Sequence, residues 1–378
     1  MSEQTSDSAE QPADQPDQTE EQHRRRWPAY LFRGVLVVGL LVFVAILMTS
    51  PPDRGDQPGW IDAAEMLEPR GEGSAAVGVR ESGCDDPPCD VIVVVGGFEP
   101  VFSTSSRVEA YVVDEDRWIE LPDLPSPRHH PAAAALEDGT IVVTGGTDGI
   151  MGWDPEDNAW ALAPDADEWT ALDPLPEPRW GHRLLAMDNQ LILIGGHGGE
   201  DTLLWTFEDG WQRGAPIPEP RDHLGAVVVD DEIWVVGGRH DDIKHTVGLY
   251  EPATDSWRDG PNLPAATSGA AIGLIDRWLV LVAGEDDSVI GGGMVRNSWM
   301  LDVDEPKPGW IPMTEPPEDM HGAGDAVVGE GDDARLFVLG GSGRHGAFSP
   351  LSWSDRVMVL EDPQPHEDYQ VQDVDDEG

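Results

Sequence analysis

Short apolar runs that end in a glycine pair recur along most of the chain. They read VIVVVGG to Gly97, TIVVTGG to Gly146, LILIGG to Gly196, IWVVGG to Gly238 and LFVLGG to Gly341, with a degenerate copy, WLVLVAG, to Gly284. Each run is short and rich in β-branched residues, and each stops at a turn signal, which predicts a buried strand rather than a helix. The runs are spaced by 49, 50, 42, 46 and 57 residues. A period of that length is that of a propeller blade, one supersecondary unit that buries its faces only against its neighbours.

A second marker keeps the same phase. Trp118, Trp169 and Trp211 each stand ten residues before an arginine, in WIELPDLPSPR, WTALDPLPEPR and WQRGAPIPEPR, while Trp257 and Trp310 lead to Thr267 and Met320. The sixth copy sits at the other end: WIDAAEMLEPR, Trp60 to Arg70, precedes the first Gly pair, and the last Gly pair is followed by DRVMVLE with no Trp segment after it. The counts agree if the strand around Trp60 completes the last blade and closes the ring between the chain ends. Blades crowd near the axis, where Gly allows the tight turn, and widen away from it, where Trp fills the wedge. Trp60, Trp118, Trp169, Trp211, Trp257 and Trp310, with Trp153, Trp160, Trp205 and Trp299 near the third strands, are therefore expected in the core.

The pattern of Gly-Gly after an apolar strand, then an aromatic strand (EAYVV, VGLYEP, NSWMLDV), then Trp and a Pro-rich turn ending in Arg, resembles the kelch repeat. The resemblance covers about residues 59–362 and implies a six-bladed β-propeller of four-stranded antiparallel sheets, as in bacterial exported kelch proteins. It says little about function, because such a fold hosts many.

Strand direction places the repeated loops. The connector into each blade and the loop after its Gly pair share one rim, because the first strand leaves that face and the second returns to it. On the rim the sequence puts Arg70, Arg128, His130, Arg179, His182, His197, Arg221, His223, Arg239, His240, Arg344 and His345. These are the candidate ligand-binding residues, with two readings open for the connector arginines: contact with an anionic ligand, or hydrogen bonds to neighbouring loop carbonyls. The same loops carry Glu99, Asp148, Glu200, Asp241, Asp242, Glu285, Asp286 and Asp287, which are solvated, pair with the cations, or offer oxygen ligands to Ca²⁺.

The N-terminal region has a different pattern. Residues 1–23 lack apolar periodicity and predict a disordered cytoplasmic tail. Trp27 to Met48 is a 22-residue apolar stretch with Arg33 as its one charge, preceded by Arg24, Arg25 and Arg26. It predicts a transmembrane signal-anchor helix over 24–49, with a cleaved signal peptide as the alternative. The expected organisation is completed by a linker over 50–58, the propeller over 59–362 and an acidic disordered tail over 363–378. The expected fold class is thus an all-β, six-bladed kelch-type propeller preceded by a single transmembrane helix. The expected localisation is the cell membrane, single-pass, with the N-terminus cytoplasmic and the propeller extracytoplasmic.

Composition narrows the partners. The formal charge is −50, and lysine occurs only at 244 and 307. Such a chain repels phosphate backbones, which argues against nucleic acid; its acidity suits high salt but does not demand it. Cys84 and Cys89, in ESGCDDPPCD, are expected to form a disulfide that staples a surface loop, the alternative being a metal pair with Asp85, Asp86 or Asp90.

Motifs for catalysis are lacking. There is no G-x-S-x-G, H-E-x-x-H or Walker A pattern, and GSGRHG (341–346) matches G-x-G-x-x-G without a helix to follow it. No cofactor and no metal are expected beyond the Ca²⁺ alternative, although His130, His182 and His223 come from neighbouring blades at a similar level. Galactose oxidase-like copper chemistry, which uses tyrosine and histidine ligands and a cysteine crosslinked to a tyrosine, fits the inventory poorly: there are four Tyr, with Tyr30 in the apolar N-terminal segment, and both Cys stand at a blade entrance. Six kelch blades and a cationic rim resemble N-acetylneuraminate epimerases, with an acid such as Glu99 or Glu285 moving a proton, but no motif residue carries over. The expectation is a binding or interaction module for cell-envelope carbohydrate or a protein partner, with sugar-acid mutarotation as the alternative and catalytic residues unknown.

Overall fold

The computed structural model describes residues 35, 37–39, 53–80, 82–100, 103–149, 153–286, 293–305, 307–344 and 352–367. The chain divides into two units, Met1–Ser50 and Pro51–Gly378. In the first, the described residues are helical at Val35 and at Val37–Gly39. A membrane span needs about 20 consecutive apolar residues, and among the described residues no helix is long and apolar enough to cross a membrane. The transmembrane helix over 24–49 and the single-pass membrane localisation are corrected accordingly. The tail over 1–23 and the rest of 24–49 lie outside the described residues.

The second unit contains six four-stranded antiparallel sheets. Blade 1 is Ser74–Arg80, Cys89–Val95, Val108–Val112 and Arg117–Leu121; blade 2 is Ala132–Ala135, Ile141–Thr144, Ala159–Leu162 and Thr170–Ala171. Blade 3 is Arg183–Met187, Gln190–Ile194, Asp201–Thr206 and Gly210–Pro216; blade 4 is Gly225–Val229, Glu232–Val236, Val247–Glu251 and Ser256–Asp259. Blade 5 is Ala271–Ile275, Trp278–Val282, Ser298–Asp302 and Ile311–Met313. Blade 6 takes Gly324–Val328, Arg335–Leu339 and Val357–Leu360 from the end of the domain and Trp60–Ala63 from its start. That last strand runs antiparallel to its neighbour, with Trp60 opposite Leu360 and Ala63 opposite Val357, so the ring closes by hydrogen bonds between the chain ends.

The apolar core is distributed between blades. Six buried clusters each join two neighbouring blades, for example Val93, Val95 and Ala110 of blade 1 with Ala133 and Val143 of blade 2. The phased tryptophans fasten the joints. Five of the six donate their indole N–H to a carbonyl of the preceding blade: Trp118 to Ala64 at 2.8 Å, Trp169 to Pro122 at 2.8 Å, Trp211 to Asp173 at 3.0 Å, Trp257 to Ala215 at 3.2 Å and Trp310 to Pro261 at 2.7 Å; the buried Trp60 Nε1 has no such partner. At those five joints a ring large enough to fill the wedge keeps its one polar atom satisfied.

The Gly pairs make a second set of joints. Gly97 N–H donates to Arg128 O at 2.7 Å, and the equivalent bond recurs from every blade to the next connector, ending with Gly341 to Arg70 at 2.9 Å. A Cβ on Gly96 would stand 2.4 Å from Arg128 O, and the residue has φ +60°. Glycine is needed there for both reasons.

Two expected flexible segments are docked in the structure. Of the linker over 50–58, residues 53–58 are described, and Arg54 reaches Glu315 at 3.0 Å while its N–H donates to Pro317 O at 2.8 Å. Of the tail over 363–378, Gln364 O accepts from Thr314 N–H at 2.9 Å and His366 N–H donates to Pro312 O at 2.9 Å, which covers the outer edge of blade 5. Cys84, in the loop between the first two strands of blade 1, forms a disulfide with Cys89, the first residue of the second strand.

Candidate functional site

Six residues, each two positions beyond the Arg phase of its connector, line the axis where the chain enters the blades: Glu72, His130, Gly181, His223, Gly269 and Gly322. All six are left-handed, with φ between +50° and +65°. Their backbones form a closed circle of hydrogen bonds, each N–H donating to the carbonyl of the ring residue before it: Glu72 to Gly322 at 2.7 Å, His130 to Glu72 at 2.6 Å, Gly181 to His130 at 3.0 Å, His223 to Gly181 at 2.9 Å, Gly269 to His223 at 2.9 Å and Gly322 to Gly269 at 2.9 Å. Left-handed backbone costs a residue with a Cβ roughly 1–2 kcal/mol. Three positions avoid the cost with glycine, while Glu72, His130 and His223 bear it, and these three side chains meet. Strain of this kind is concentrated at functional sites.

Outside this ring lie two more tiers, joined in pairs by bridges from each connector to the residue after the Gly pair: Gly71 with Phe98, His129 with Thr147, Trp180 with His197, Asp222 with Arg239, Ser268 with Glu285, and His321 with Ser342. The tiers are unequal around the axis. Over blades 1 to 3, and at Trp353 of the adjoining blade 6, the mouth is aromatic: Phe98 stacks on His129 at 4.0 Å and on Trp353 at 5.8 Å, Trp153 packs against Trp180 at 5.2 Å, and Trp180 stacks on His197 at 5.0 Å. Over blades 4 to 6 it is charged. Arg239 pairs with Glu285 and, at 3.3 Å, with Asp222, while His321 Nε2 lies 3.8 Å from Glu285 Oε2.

The centre of the mouth is polar and buried. His130 Nε2 lies 2.9 Å from His223 Nε2 and 3.3 Å from Glu72 Oε2, and His223 Nε2 lies 3.8 Å from that same oxygen. His223 Nδ1 bonds Asp222 Oδ1, and Arg239 Nη2 approaches His223 Nε2 at 3.1 Å. Burial holds His130 well below the ordinary imidazole value and takes His129 down to about 4, although the Gly149 carbonyl on its Nε2 works the other way. Burial also opposes ionisation of Asp222, but His223 and Arg239 outweigh it and keep its carboxyl below the ordinary range.

The residues singled out in the sequence fall into different places. Arg128, Arg179 and Arg221 are buried inside the connectors, as is Arg70. Arg179 Nη1 donates to Gly195 O at 3.1 Å and Arg221 Nη1 to Gly237 O at 3.0 Å, each beside its own acid, Glu177 at 3.2 Å and Glu219 at 2.8 Å. Arg128 Nη2 donates to Asn158 at 2.6 Å and the guanidinium lies over Trp160 at 5.1 Å. Burial draws all three guanidinium groups below their ordinary value. His182 is buried against Thr144 Oγ1 at 2.9 Å, and burial, helped by Arg179, takes it down to about 3.

Only part of the remaining set faces the mouth. His130 and His223 reach its centre, Arg239 is partly exposed in it, and His197 lies over Trp180. His240 is exposed, with its N–H on Asp242 O at 3.2 Å. Arg344 N–H donates to Ser342 Oγ at 3.2 Å, and His345 lies outside the described residues. Trp153, expected in the core, stands 40% exposed at the mouth. An anionic ligand would therefore find few cationic anchors, while Asp148, Glu200, Asp241 and Asp242 are exposed in the surrounding loops. Glu72 was missed by the motif search, although its phase, two residues after Arg70, is that of His130 and His223.

Comparison with known proteins agrees with the architecture. The Kelch motif family model matches residues 220–264. Kelch-like protein 35 of Mus musculus is 25% identical over 268 residues, covering 68% of this chain and 42% of that protein. Kelch-like protein terF of Aspergillus terreus is 28% identical over 178 residues, 43% of this chain and 36% of that protein. F-box/kelch-repeat protein SKIP30 of Arabidopsis thaliana is 24% identical over 178 residues, 39% of this chain and 48% of that protein. The chain spans less than half the length of these curated relatives.

Proposed function

Since the chain is a kelch-repeat β-propeller, we propose that it is a protein-interaction module that takes its partner on the connector face, at the mouth described above. The observation that carries this reading is the division of the mouth into an aromatic half, with Trp153 40% exposed beside Trp180 and Phe98, and a charged half around Arg239 and Glu285. Tryptophan and arginine are the residues that most often anchor protein interfaces, and a partly exposed indole offers a large contact area at little entropic cost.

Charge selects the kind of partner. The chain carries a formal charge of −50, and the loops around the mouth expose Asp148, Glu200, Asp241 and Asp242. A basic segment of a protein fits: an arginine or lysine side chain over Trp153 gains a cation–π contact, and acids lie around it. Attraction between net charges speeds encounter and weakens with salt. The test is affinity capture from the source cells with wild-type protein and with Trp153→Ala. A partner that is retained by wild type, lost by the variant and released at high salt supports the reading; equal capture by both proteins overturns it.

A further inference from the structure

We propose that Glu72, His130 and His223 bind one divalent transition-metal ion, of the zinc type, through Glu72 Oε2 and the two histidine Nε2 atoms at the floor of the mouth. The inference goes beyond the interaction role and does not depend on it. The three donor atoms lie 2.9, 3.3 and 3.8 Å apart, and all within 4.8 Å of one another. Atoms at those separations share a point about 2.0 Å from each, which is the length of a bond from zinc to an imidazole nitrogen or carboxylate oxygen. Two histidines and a glutamate are also a donor set that such an ion accepts.

Hydrogen bonding fixes which way the imidazoles present their lone pairs. Gly149 O can only accept, so His129 Nε2, 2.9 Å away, carries the proton and its Nδ1 is the acceptor. His130 Nδ1 faces that acceptor, so in neutral His130 the proton sits on Nδ1 and the lone pair on Nε2. Asp222 accepts from His223 Nδ1, which leaves the Nε2 lone pair of His223 pointing to the centre as well. Two lone pairs therefore face each other at 2.9 Å, a repulsion that a cation held between them would relieve. The Asp222–His223 contact is in addition the outer carboxylate bond by which proteins orient a metal-binding histidine and raise its basicity.

The neighbouring groups are compatible with the ion. Arg239 approaches His223 Nε2 at 3.1 Å and would give up that contact on metal binding, keeping Glu285 and Asp222 as partners. A cavity of about 60 Å³ adjoins Glu72, His130 and His223, and Gly181, Gly269 and Gly322 line it with no side chain. It leaves room for water or a small ligand in the fourth position of a tetrahedral ion.

The experiment uses the full chain, stripped with a chelator and titrated with Co²⁺ in excess Mg²⁺ and salt, so that surface carboxylates are occupied. The expected result is one Co²⁺ per chain, with the intense visible bands of a four-coordinate nitrogen and oxygen site, displaced by Zn²⁺. Glu72→Gln and His223→Gln should each remove the bands, Asp222→Asn should weaken binding about tenfold, and the exposed His240→Ala should change nothing. Circular dichroism confirms that each variant folds, and Glu72→Gln, which keeps the shape of the side chain, serves if His223→Gln does not. Weak octahedral bands with several equivalents, bands that survive in Glu72→Gln, or no uptake because a proton joins the two imidazoles would each overturn the proposal.

Discussion

Arg183 and Asp325 meet across the propeller axis, with both guanidinium Nη atoms 2.7 Å from the two carboxylate oxygens. They lie on the first strands of blades 3 and 6, which stand opposite each other in the ring, 142 residues apart in sequence. Arg183 Nε also donates to Leu224 O of blade 4 at 2.9 Å, and Asp325 accepts from Ile272 N–H of blade 5 at 3.3 Å. One ion pair thus ties four blades and crosses the channel beneath the mouth.

The pair is partly exposed, so its worth is moderate. Arg183→Ala should lower stability by about 1–2 kcal/mol, with a coupling to Asp325→Asn of about 1 kcal/mol in a double-mutant cycle measured by urea denaturation. Additive effects of the two substitutions would show that the contact contributes nothing.

Arg179 and Arg239 should differ in whether the same substitution reaches partner binding. Arg179→Ala removes a buried donor from Gly195 O and leaves Glu177 behind, at a cost of about 2–3 kcal/mol in thermal or urea unfolding. Arg239→Ala leaves the buried Asp222 and Glu285 without that cation, at a cost of about 1–3 kcal/mol, and should in addition weaken partner binding.

Closure of the ring makes two adjacent residues unequal. Trp60 is buried in the terminal strand whereas Ile61 is 46% exposed. Trp60→Ala should cost about 3–5 kcal/mol by creating a cavity at the joint, while Ile61→Thr stays within about 0.5 kcal/mol, as read from chemical denaturation.

Acid should destabilise the domain partly through His182. Its folded value of about 3 lies below the ordinary 6.5, so between those limits the unfolded chain takes up a proton that the folded chain refuses. Stability from this group is complete above pH 6.5 and is lost as pH falls toward 3. His182→Gln should therefore reduce the loss of stability between pH 7 and pH 5 by about 2 kcal/mol, measured by denaturation at both values. An unchanged loss would mean that the imidazole is protonated in the fold.

The blades, the Gly pairs and the strand closure were legible in the chain because each is a local rule repeated in phase. The Trp60 segment could be assigned to the last blade by counting alone. The connector arginines were not legible in the same way. The motif fixes where Arg179 and Arg221 occur, but whether a guanidinium turns out to a ligand or back to Gly195 O and Gly237 O depends on rotamers and on the neighbouring acids. Trp153 shows the converse, since its nearness to a third strand suggested burial while its loop carries it to the mouth. Glu72 was readable from phase but had no reason to be noticed until the ring brought it to His130 and His223. The membrane segment was inferred from hydropathy over residues of which few are described.

A photo-cross-linking amino acid placed at two exposed positions tests whether the partner lies over the aromatic half of the mouth. Position 153 is at the mouth, whereas Phe207, 62% exposed in the hairpin between Asp201–Thr206 and Gly210–Pro216, is at the opposite face. A discrete protein adduct is expected from position 153, weaker in Arg239→Ala, and none from position 207. Adducts of equal yield from both positions, or an adduct from 207 alone, would contradict that placement.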